Sequence, residues 1–563
     1  MSPETIADAS ETRRILRLAL PPFRLLWRGV AFGVLSAGCA VALLAVSAWL
    51  ITRASEQPSL IYVSMAVVGV RAFALGRAFF RYLERLAGHD AAFRRLAVIR
   101  AELFARLVPL APDGLGDTRR GDLLSGFADD VDELQNHSLR VVQPLVTSTV
   151  VALVAVVAAF VLLPEAGIAL LVALLLAFGV GTLVNRWVSG RAERGIAPLR
   201  AAVGDSIHDL VSNLDVLTAF GALPGAERRV AEVSGRLTAA VRSRAAGAGL
   251  TNAVVSVLAG AATALALVAG IPALQSGRLD APTLAVVALL PLAVFEVFGM
   301  VPLALGARRQ VVASAQRIAA TAPATVPAGI PVDRAAPAAL DLRRVPVVEL
   351  RDVSATWPGQ PEPVLHGVSA RLEPGERVVL SGPTGAGKTA LAHVLTRFID
   401  YDGSFTLDGV EARDARQDDV RSVIGLCEQS PYLFHSDLRQ NLLFACDTAT
   451  DADLLAVLDR VGLGEWAAER GGLDAPVGEH GALVSGGQAQ RIALARAILA
   501  GFPVLVVDEP AANVDAGVAE RVVRDILTTA AEDGRTVLLI SHTPVPAELI
   551  TRRLRLEDGH LVS

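Results

Sequence analysis

One lysine occurs in the 563-residue chain, Lys388, while the other 51 basic residues are arginines. It stands in the run Gly382-Pro383-Thr384-Gly385-Ala386-Gly387-Lys388-Thr389. The run matches the pattern G-x-x-x-x-G-K-[ST], in which backbone N–H groups surround nucleotide phosphates, the lysine contacts them and the last hydroxyl binds Mg²⁺. A compact ammonium fits such a loop where a branched guanidinium does not. The run therefore predicts a nucleotide site.

Polar residues that end apolar runs further along the chain supply the groups that hydrolysis needs. Asp508 and Glu509 follow an apolar run, so Asp508 suits Mg²⁺ and Glu509 suits polarising the attacking water. Gln429 follows a shorter run and can reach Mg²⁺ or the water through its amide, and His542 ends a third run and can sense the γ-phosphate. A lone glutamine or histidine would mean little, but this order and spacing favour a catalytic set.

Two further features predict contacts to the nucleotide. The run Ser485-Gly486-Gly487-Gln488 opens a helical segment, so Ser485 and the N–H groups after it can face a second phosphate group. A Ser-Gly-Gly triplet alone is usually just a turn. Trp357 is placed to stack on adenine, although a lone tryptophan is more often a core or interface residue.

The elements that must position these residues follow from the local pattern. From residue 347 to residue 563, short β-branched runs alternate with helical segments, which predicts an α/β P-loop domain. Residues 319–346 are rich in Ala and Pro with little periodicity and are interpreted as a linker.

The first half of the chain is much more apolar than the second half. The chain is 52% hydrophobic with a mean hydropathy of +0.47, which is too apolar for an ordinary soluble enzyme. Residues 1–318 are therefore predicted to be an all-α membrane domain with long cytoplasmic helical extensions. Its six predicted spans are each long enough to cross a hydrocarbon core about 30 Å thick, and they are Gly29–Ile51, Leu60–Tyr82, Leu145–Leu163, Ala166–Asn185, Ala245–Gly277 and Thr283–Ala307.

Charge and cysteine content narrow the function classes. Arginine-rich segments lie before the first span and after spans two, four and six, which predicts that both termini are cytoplasmic. The N-terminus lacks the shape of a cleavable signal. Three scattered cysteines indicate no disulfide framework or metal cluster. Six spans and a net charge of −5 disfavour a soluble nucleotide-binding protein that acts on nucleic acid.

The ordered motifs of the second half resemble an ATP-binding cassette, and the whole chain is similar to an ABC exporter half-transporter of type IV (exporter-type) architecture. The resemblance implies ATP and Mg²⁺ as cofactors and a second half-transporter as partner, because ATP is sandwiched between two cassettes. It also implies roles for the phosphate loop Gly382–Thr389, the Q-loop Gln429, the signature Ser485–Gln488, the Walker B pair Asp508 and Glu509, the switch His542 and the D-loop Asp515. The D-loop reads Asn513-Val514-Asp515, where Ala-Leu-Asp is commoner.

The resemblance further implies alternating access driven by ATP. Segments near Pro109–Leu124 and Asp205–Ala219 are expected to transmit the motion. Glu479 and His480, just before the signature, either contact the partner's coupling loops or belong to a solvated loop.

Substrate choice depends on the membrane half. Arg77, Arg81, Arg85 and His89 recur every four residues, with Arg71 deeper, so one side of a helix could form a cationic wall. The alternative is that the arginines snorkel or pair with Glu84. Glu296 is a candidate counter-ion of Arg71 or a residue of the same cavity. The candidate substrate residues are thus Arg71, Arg77, Arg81, Arg85 and Glu296.

The stretch from Arg81 to Arg94 narrows the resemblance to the C subunit (CydC-type) of heterodimeric cysteine/glutathione exporters required for cytochrome bd assembly. That resemblance implies an anionic thiol substrate, a CydD-type partner and a bacterial cytoplasmic membrane location. It also raises haem b as a cofactor with His89 as axial ligand, although a lone helix histidine is more often structural. The alternatives are a homodimeric lipid or multidrug exporter and, in another class, a membrane-bound regulatory ATPase subunit.

Overall fold

The structure is a computed structural model that describes residues 9–115, 120–184, 190–341, 344–510, 516–542 and 545–562. Its contacts divide the chain into two compact units. The membrane unit consists of Met1–Ala105 and Arg119–Ala324, and the cassette unit consists of Arg106–Thr118 and Thr325–Ser563. The short segment Arg106–Thr118 thus belongs with the cassette although its neighbours in sequence belong to the membrane unit.

Helices make up the described part of the membrane unit. They are α1 (Ala9–Leu18), α2 (Phe23–Ser55), α3 (Leu60–Leu107), α4 (Arg120–Leu134), α5 (Gln143–Leu162), α6 (Pro164–Val184), α7 (Gly190–Ser212), α8 (Leu214–Ala219), α9 (Leu223–Gln275), α10 (Ala281–Phe298) and α11 (Met300–Thr321). A π-helical stretch, His137–Val142, leads into α5.

Six stretches of the described chain are helical, long and apolar enough to cross a membrane, which confirms the predicted six-helix fold class. Helices α3 and α9 have 48 and 53 residues, more than twice the roughly 20 residues that a span needs. The sixth stretch differs from the prediction of one helix, because α10 ends at Phe298 and α11 begins at Met300, with Gly299 between them.

Small residues line the interior of the membrane unit. Ala177 and Val294 are fully buried, and Ala155, Ala259 and Ala262 are at most 5% exposed. Lipid tails are as apolar as leucine, so helix association in a membrane depends on close packing, which small side chains allow. The alanine-rich composition of the spans therefore has a structural role.

The cassette unit contains ten strands and seven helices in its described residues. The strands are β1 (Val348–Ala355), β2 (Leu365–Leu372), β3 (Arg377–Ser381), β4 (Tyr401–Leu407), β5 (Val410–Glu411), β6 (Ile424–Cys427), β7 (Val504–Asp508), β8 (Thr536–Ile540), β9 (Arg552–Glu557) and β10 (His560–Val562). The helices are α12 (Lys388–Leu395), α13 (Gln417–Val423), α14 (Leu438–Leu443), α15 (Asp451–Arg460), α16 (Gly464–Glu469), α17 (Gly486–Leu499) and α18 (Ala516–Glu532).

Two sheets organise the cassette. The larger has the order β10-β9-β3-β8-β7-β6, in which all strands but β10 run parallel, and the smaller is antiparallel with the order β2-β1-β4-β5. Every residue of β7 and β8 is buried, as expected for apolar strands covered on both faces. Because the parallel strands share one direction, the residues that follow β3, β8, β7 and β6 meet at one edge.

Residues 325–341, which lie within the predicted linker, are attached to the cassette. The Asp400 N–H donates to the Gly329 carbonyl at 2.9 Å, and Gln417 Nε2 donates to the Pro331 carbonyl at 3.1 Å. Ile330 is 7% exposed. The structure therefore differs from the predicted 319–346 linker, because α11 continues to Thr321 and backbone hydrogen bonds hold the following residues against the cassette.

Candidate functional site

The phosphate loop connects β3 to α12, as the motif predicts. Gly387 caps the helix in the left-handed region with φ of 97°, which glycine adopts without strain. A Cβ on Gly382 would lie 2.1 Å from the backbone oxygen of Leu556 in β9. The loop therefore needs glycine at Gly382 because the neighbouring strand leaves no room for a side chain.

Lys388 is buried beneath this loop, with 6% of its surface exposed. Its Nζ donates to the carbonyl oxygens of Gly382 and Pro383 at 3.0 Å each and lies 2.9 Å from His542 Nε2. The ammonium is thus directed into the curve of the loop, where phosphates bind in P-loop proteins.

Thr389 and Asp508 form the predicted Mg²⁺ end of the site. Thr389 Oγ1 donates to Asp508 Oδ2 at 2.9 Å. Burial raises the pKa of the Asp508 carboxyl, while the Thr389 hydrogen bond acts in the opposite direction. A hydroxyl and a carboxylate together, completed by nucleotide phosphates and water, are the oxygen ligands that Mg²⁺ prefers.

Glu509 is held from two sides by the other predicted catalytic residues. Gln429 Nε2 donates to Glu509 Oε2 at 2.9 Å, and His542 Nε2 lies 2.9 Å from Glu509 Oε1. Glu509 has φ of 44°, in the left-handed region that non-glycine residues seldom adopt, and its N–H donates to the Ile540 carbonyl at 2.9 Å. Such strain occurs at functional sites where surrounding contacts enforce it.

These contacts bring together residues that are far apart in sequence. Lys388, Gln429, Glu509 and His542 form one chain of contacts at the carboxyl edge of β3, β6, β7 and β8. In this structure Gln429 is bonded to Glu509 and not to Asp508, so its predicted part in binding Mg²⁺ remains a prediction. A carboxylate beside a hydrogen-bonding amide and an imidazole can activate water for attack on a phosphate.

The signature run begins α17. Ser485 is its N-cap, and a capping box joins Ser485 to Gln488: Ser485 N–H donates to Gln488 Oε1 at 2.8 Å, and Gln488 N–H donates to Ser485 Oγ at 3.3 Å. The helix start predicted at Ser485 is therefore present. Its contact with a phosphate remains a prediction.

Sequence reasoning missed Gln490, four residues after Gly486 on the same helix. It is 5% exposed and its Nε2 donates to the backbone oxygen of Gln429. Gln490 thus ties the signature helix to the Q-loop. Its place two residues after the signature run Ser485–Gln488 was the available signal.

Trp357 follows β1 and is partly buried against the cassette core. Its ring meets the His393 ring edge to face, with centroids 5.2 Å apart. Stacking of adenine on Trp357 remains a prediction. Asp515, with its neighbours Asn513 and Val514, lies outside the described residues, as does the side chain of His480.

The membrane arginines have one contact that differs from the predicted pairing. Glu296 Oε1 lies 3.2 Å from Arg77 Nη2, and not at Arg71, so Glu296 is the counter-ion of Arg77. Arg71 and Arg77 lie on the same helix six residues apart, about 9 Å along its axis, and the local pattern does not reveal which of them meets Glu296. Arg71, Arg81 and Arg85 are exposed on the same helix in this single chain.

A second basic feature was missed by the sequence. A cavity of about 390 Å³ in the membrane unit is lined by residues of α9, α11 and the region around the start of α5. Its polar residues include Arg140, Arg244, Asn252 and Gln310. When the Gln310 side-chain amide is oriented so that its oxygen faces Arg244, that oxygen accepts hydrogen bonds from Arg244 Nη1 at 2.9 Å and Nη2 at 3.1 Å. The apolar lining includes Met300.

In the part of the chain that the structure describes, no haem pocket surrounds His89. The side chain is exposed on α3, and its ring contacts Phe93 with centroids 5.6 Å apart. An exposed imidazole offers neither the apolar enclosure nor the shielding that a haem needs. The residues around His89 therefore do not fit the predicted haem b.

Comparisons with known proteins agree with this geometry. Residues 30–296 match the ABC transporter transmembrane region and residues 365–512 match the ABC transporter family. The chain is 30% identical over 95% of its length to the glutathione/L-cysteine transport system ATP-binding/permease protein CydC of Escherichia coli strain K12, covering 93% of that protein. The CydC protein of Haemophilus influenzae is 26% identical over 95% of the chain, covering 92% of that protein.

Other relatives share only part of the chain or only its fold. The ATP-dependent lipid A-core flippase of Thiobacillus denitrificans is 39% identical over 38% of this chain and 37% of its own length. A solved structure of a bacterial Atm1-family ABC exporter with ATP bound matches with a TM-score of 0.81 and 23% identity, covering 96% of this chain and 95% of that one. This likeness confirms the type IV exporter fold.

The near full-length match to CydC, the two matching family regions and the assembled P-loop site agree. The resemblance noted from the sequence is confirmed. The ATPase domain implies the use of ATP and Mg²⁺, with hydrolysis coupled to transport by a multi-pass inner-membrane protein. The chain belongs to the ABC transporter family, and within it to the relatives of the CydC glutathione/L-cysteine transport ATP-binding/permease proteins.

Proposed function

We propose that this chain exports small thiols, cysteine and glutathione, as one half of a heterodimer with a CydD-type partner in support of cytochrome bd assembly. The observation that carries the proposal is the basic cavity of the membrane unit. Its lining, all of it described, includes Arg140 and Arg244 and no carboxylate. Glutathione carries two carboxylates and one ammonium at neutral pH, so an arginine-lined cavity suits it.

The cavity also has an apolar side that suits a small organic molecule. Met300, Leu303 and Ala304 contribute to the same lining. A few polar groups on a mainly apolar wall fix the orientation of a ligand while contact area supplies affinity. Arg71, Arg81 and Arg85 on α3 remain proposed as residues that line the passage on its way through the membrane.

The motifs of the cassette support the proposal of a second half-transporter. In ABC exporters ATP binds between the phosphate loop of one cassette and the signature of another, so Gly382–Thr389 and Ser485–Gln488 would serve two different nucleotides. Glu509 would then act as the general base at the site of Lys388. ATP binding would draw the cassettes together, and segments near Pro109–Leu124 and Asp205–Ala219 would pass the motion to the membrane helices.

The proposal includes the side of the membrane on which the termini lie and excludes a haem cofactor. The arginine-rich ends of the spans support the proposal that both termini are cytoplasmic. The proposed mechanism does not use haem b, because the residues around His89 would not enclose a haem.

Lipid export as a homodimer is the second candidate. It is favoured by the partial match to lipid A-core flippases and by the exposed apolar residues of α3, which include Leu75, Phe79 and Leu86. The flippase match, however, spans only 38% of this chain, while the CydC match spans 95%.

The test is transport into inverted membrane vesicles that contain the chain with a CydD-type partner. We expect ATP-dependent uptake of labelled glutathione or cysteine, and we expect Lys388→Ala to abolish it while membrane insertion is unchanged, because the lysine contacts the phosphates. Uptake by the Lys388→Ala complex at the normal rate would contradict the assignment of this ATP site.

Substrate assignment needs its own variants. We expect Arg140→Ala and Arg244→Ala to weaken thiol stimulation of the ATPase about tenfold, the loss of one charge-assisted contact, and to leave basal hydrolysis within about twofold. Arg81→Ala is expected to act in the same direction. Arg228→Ala, an exposed arginine elsewhere on α9, is the matched control. Stimulation by lipid, but not by thiols, in the purified self-dimer would favour the second candidate.

A further inference from the structure

The imidazole of His393 is enclosed by three groups in the cassette unit. The residue lies on α12, five positions after Lys388, and is 9% exposed. Its Nδ1 lies 2.7 Å from Asp113 Oδ2. Its ring meets the rings of Trp357 and Phe398 edge to face, with centroids 5.2 and 5.5 Å apart. None of these contacts is needed for the phosphate chemistry already described.

The hydrogen bond fixes how the ring is turned. An ionised carboxylate only accepts, so the His393 Nδ1–H donates to Asp113. The two side chains are only 11% and 13% exposed, so water competes weakly for the bond. Asp113 belongs to Arg106–Thr118, the segment that follows α3 in sequence and packs with the cassette. The orientation of His393 therefore depends on that segment.

The ring contact in turn restricts Trp357. Edge-to-face geometry at this separation is a favoured arrangement of aromatic rings and stabilises the pair beyond the area that it buries. Trp357 is also the predicted platform for adenine. A platform that is already held in place loses less conformational freedom when a base stacks on it.

We propose that His393 is a positioning residue for ATP: its ring holds the Trp357 indole in the orientation that stacks on adenine, and Asp113 holds His393. The proposal depends on adenine stacking at Trp357 and is independent of which substrate is exported. It makes the segment after α3 a determinant of nucleotide affinity, acting on the base and not on the phosphates.

The experiment compares two ligands in the full-length chain carrying Glu509→Gln, which suppresses turnover. Equilibrium binding of ATP and of inorganic tripolyphosphate is measured in the presence of Mg²⁺. We expect His393→Ala to raise the Kd for ATP about three- to tenfold, the range that corresponds to one aromatic pair. Tripolyphosphate binding should be unchanged, because it uses the phosphate loop alone. His435→Ala, an exposed histidine of the same cassette, is the control and should change neither.

Two further comparisons separate positioning from general disruption. In a Trp357→Ala background, His393→Ala should have no additional effect on ATP binding, since the indole it positions is gone. Asp113→Ala should weaken ATP binding, and Asp113→Asn should restore it, because the amide oxygen still accepts from Nδ1–H.

Several results would overturn the proposal. They are an equal loss of tripolyphosphate binding in His393→Ala, an unchanged Kd for ATP, or a full effect of His393→Ala in the Trp357→Ala background. Should His393→Ala fail to fold, His393→Phe keeps the ring and removes only the bond to Asp113. It should then weaken ATP binding as Asp113→Ala does. Normal ATP binding by His393→Phe and by Asp113→Ala would reject the proposal that Asp113 positions His393.

Discussion

The two cysteines of the cassette lie in environments that make them chemically different. Cys427, at the end of β6, is 4% exposed, and burial together with the nearby Glu428 raises the pKa of its thiol to about 12. Cys446 is partly exposed. Since the thiolate is the reactive form, burial and the raised pKa protect Cys427.

Thiol labelling checks this difference. At about pH 8 we expect maleimide to modify Cys446 and to leave Cys427 unmodified in the folded protein, because the thiolate fraction at Cys427 is on the order of 10⁻⁴. Both should react after denaturation. Cys446→Ser is the control that removes labelling of the folded cassette. Fast labelling of Cys427 in the native protein would show that β6 is less protected than its burial indicates.

The same pKa shift has a consequence for stability. An unfolded cysteine has a pKa of about 8.5, so the folded state favours the protonated thiol. This contribution to the free energy of unfolding is fully present below about pH 8.5 and is lost as pH rises toward about 12. Unfolding midpoints measured across this range should fall with pH, and less so in Cys427→Ala.

Glu509 provides the catalytic prediction at the residue scale. Its carboxylate contacts Gln429 and His542. Glu509→Gln keeps the size and one acceptor oxygen for the Gln429 amide but loses the base. We expect ATP turnover to fall about 10²- to 10⁴-fold, the usual contribution of a general base, with ATP binding retained. Phosphate release and equilibrium binding are measured together. Turnover within a few-fold of the unmodified protein would remove Glu509 from this role.

At the scale of elements, the phosphate loop between β3 and α12 is packed against the neighbouring strand β9. A Cβ at Gly382 would approach the Leu556 backbone oxygen to 2.1 Å, and a backbone atom cannot move aside as a side-chain end can. The path of the phosphate loop therefore depends on the position of β9.

This packing predicts the result of Gly382→Ala. We expect a loss of several-fold or more in ATP affinity and a lower unfolding midpoint of the cassette, because the loop must shift away from β9. Gly385→Ala is the matched control for space, since its Cβ would meet nothing within 4 Å, although its φ of 85° adds some strain. Normal ATP affinity and stability in Gly382→Ala would show that the loop tolerates a wider path.

At the scale of the whole molecule, the six spans require a definite orientation in the membrane. Ser276 follows α9 and Ser212 ends α7, and both are exposed. From the charge rule we expect the loop with Ser276 to lie outside the cell and Ser212 to lie inside. The two positions therefore report opposite sides of the membrane.

Cysteine labelling of intact cells checks this orientation in a variant without the native cysteines. We expect an impermeant maleimide to label Ser276→Cys directly and Ser212→Cys only after the cells are permeabilised. The reverse pattern would place the termini and the cassette outside, where ATP is not supplied. It would contradict the proposed export mechanism.

The sequence by itself determined the features that depend on local pattern. The phosphate loop, the Walker B pair, the capped helix at Ser485 and the six spans are each written in a short run whose chemistry or hydrophobicity is enough to recognise it. The parallel strands then brought Gln429, Glu509 and His542 together, as the order of motifs implied.

Only the tertiary structure decided which distant residues meet. The pairs Arg77–Glu296 and Asp113–His393 join positions 219 and 280 residues apart. The basic cavity is lined by residues of both α9 and α11. Hydrogen bonds attach residues 325–341 to the cassette. Such contacts depend on how each helix is rotated and how segments fold back, and neither is encoded in local periodicity, because the same pattern is compatible with many pairings.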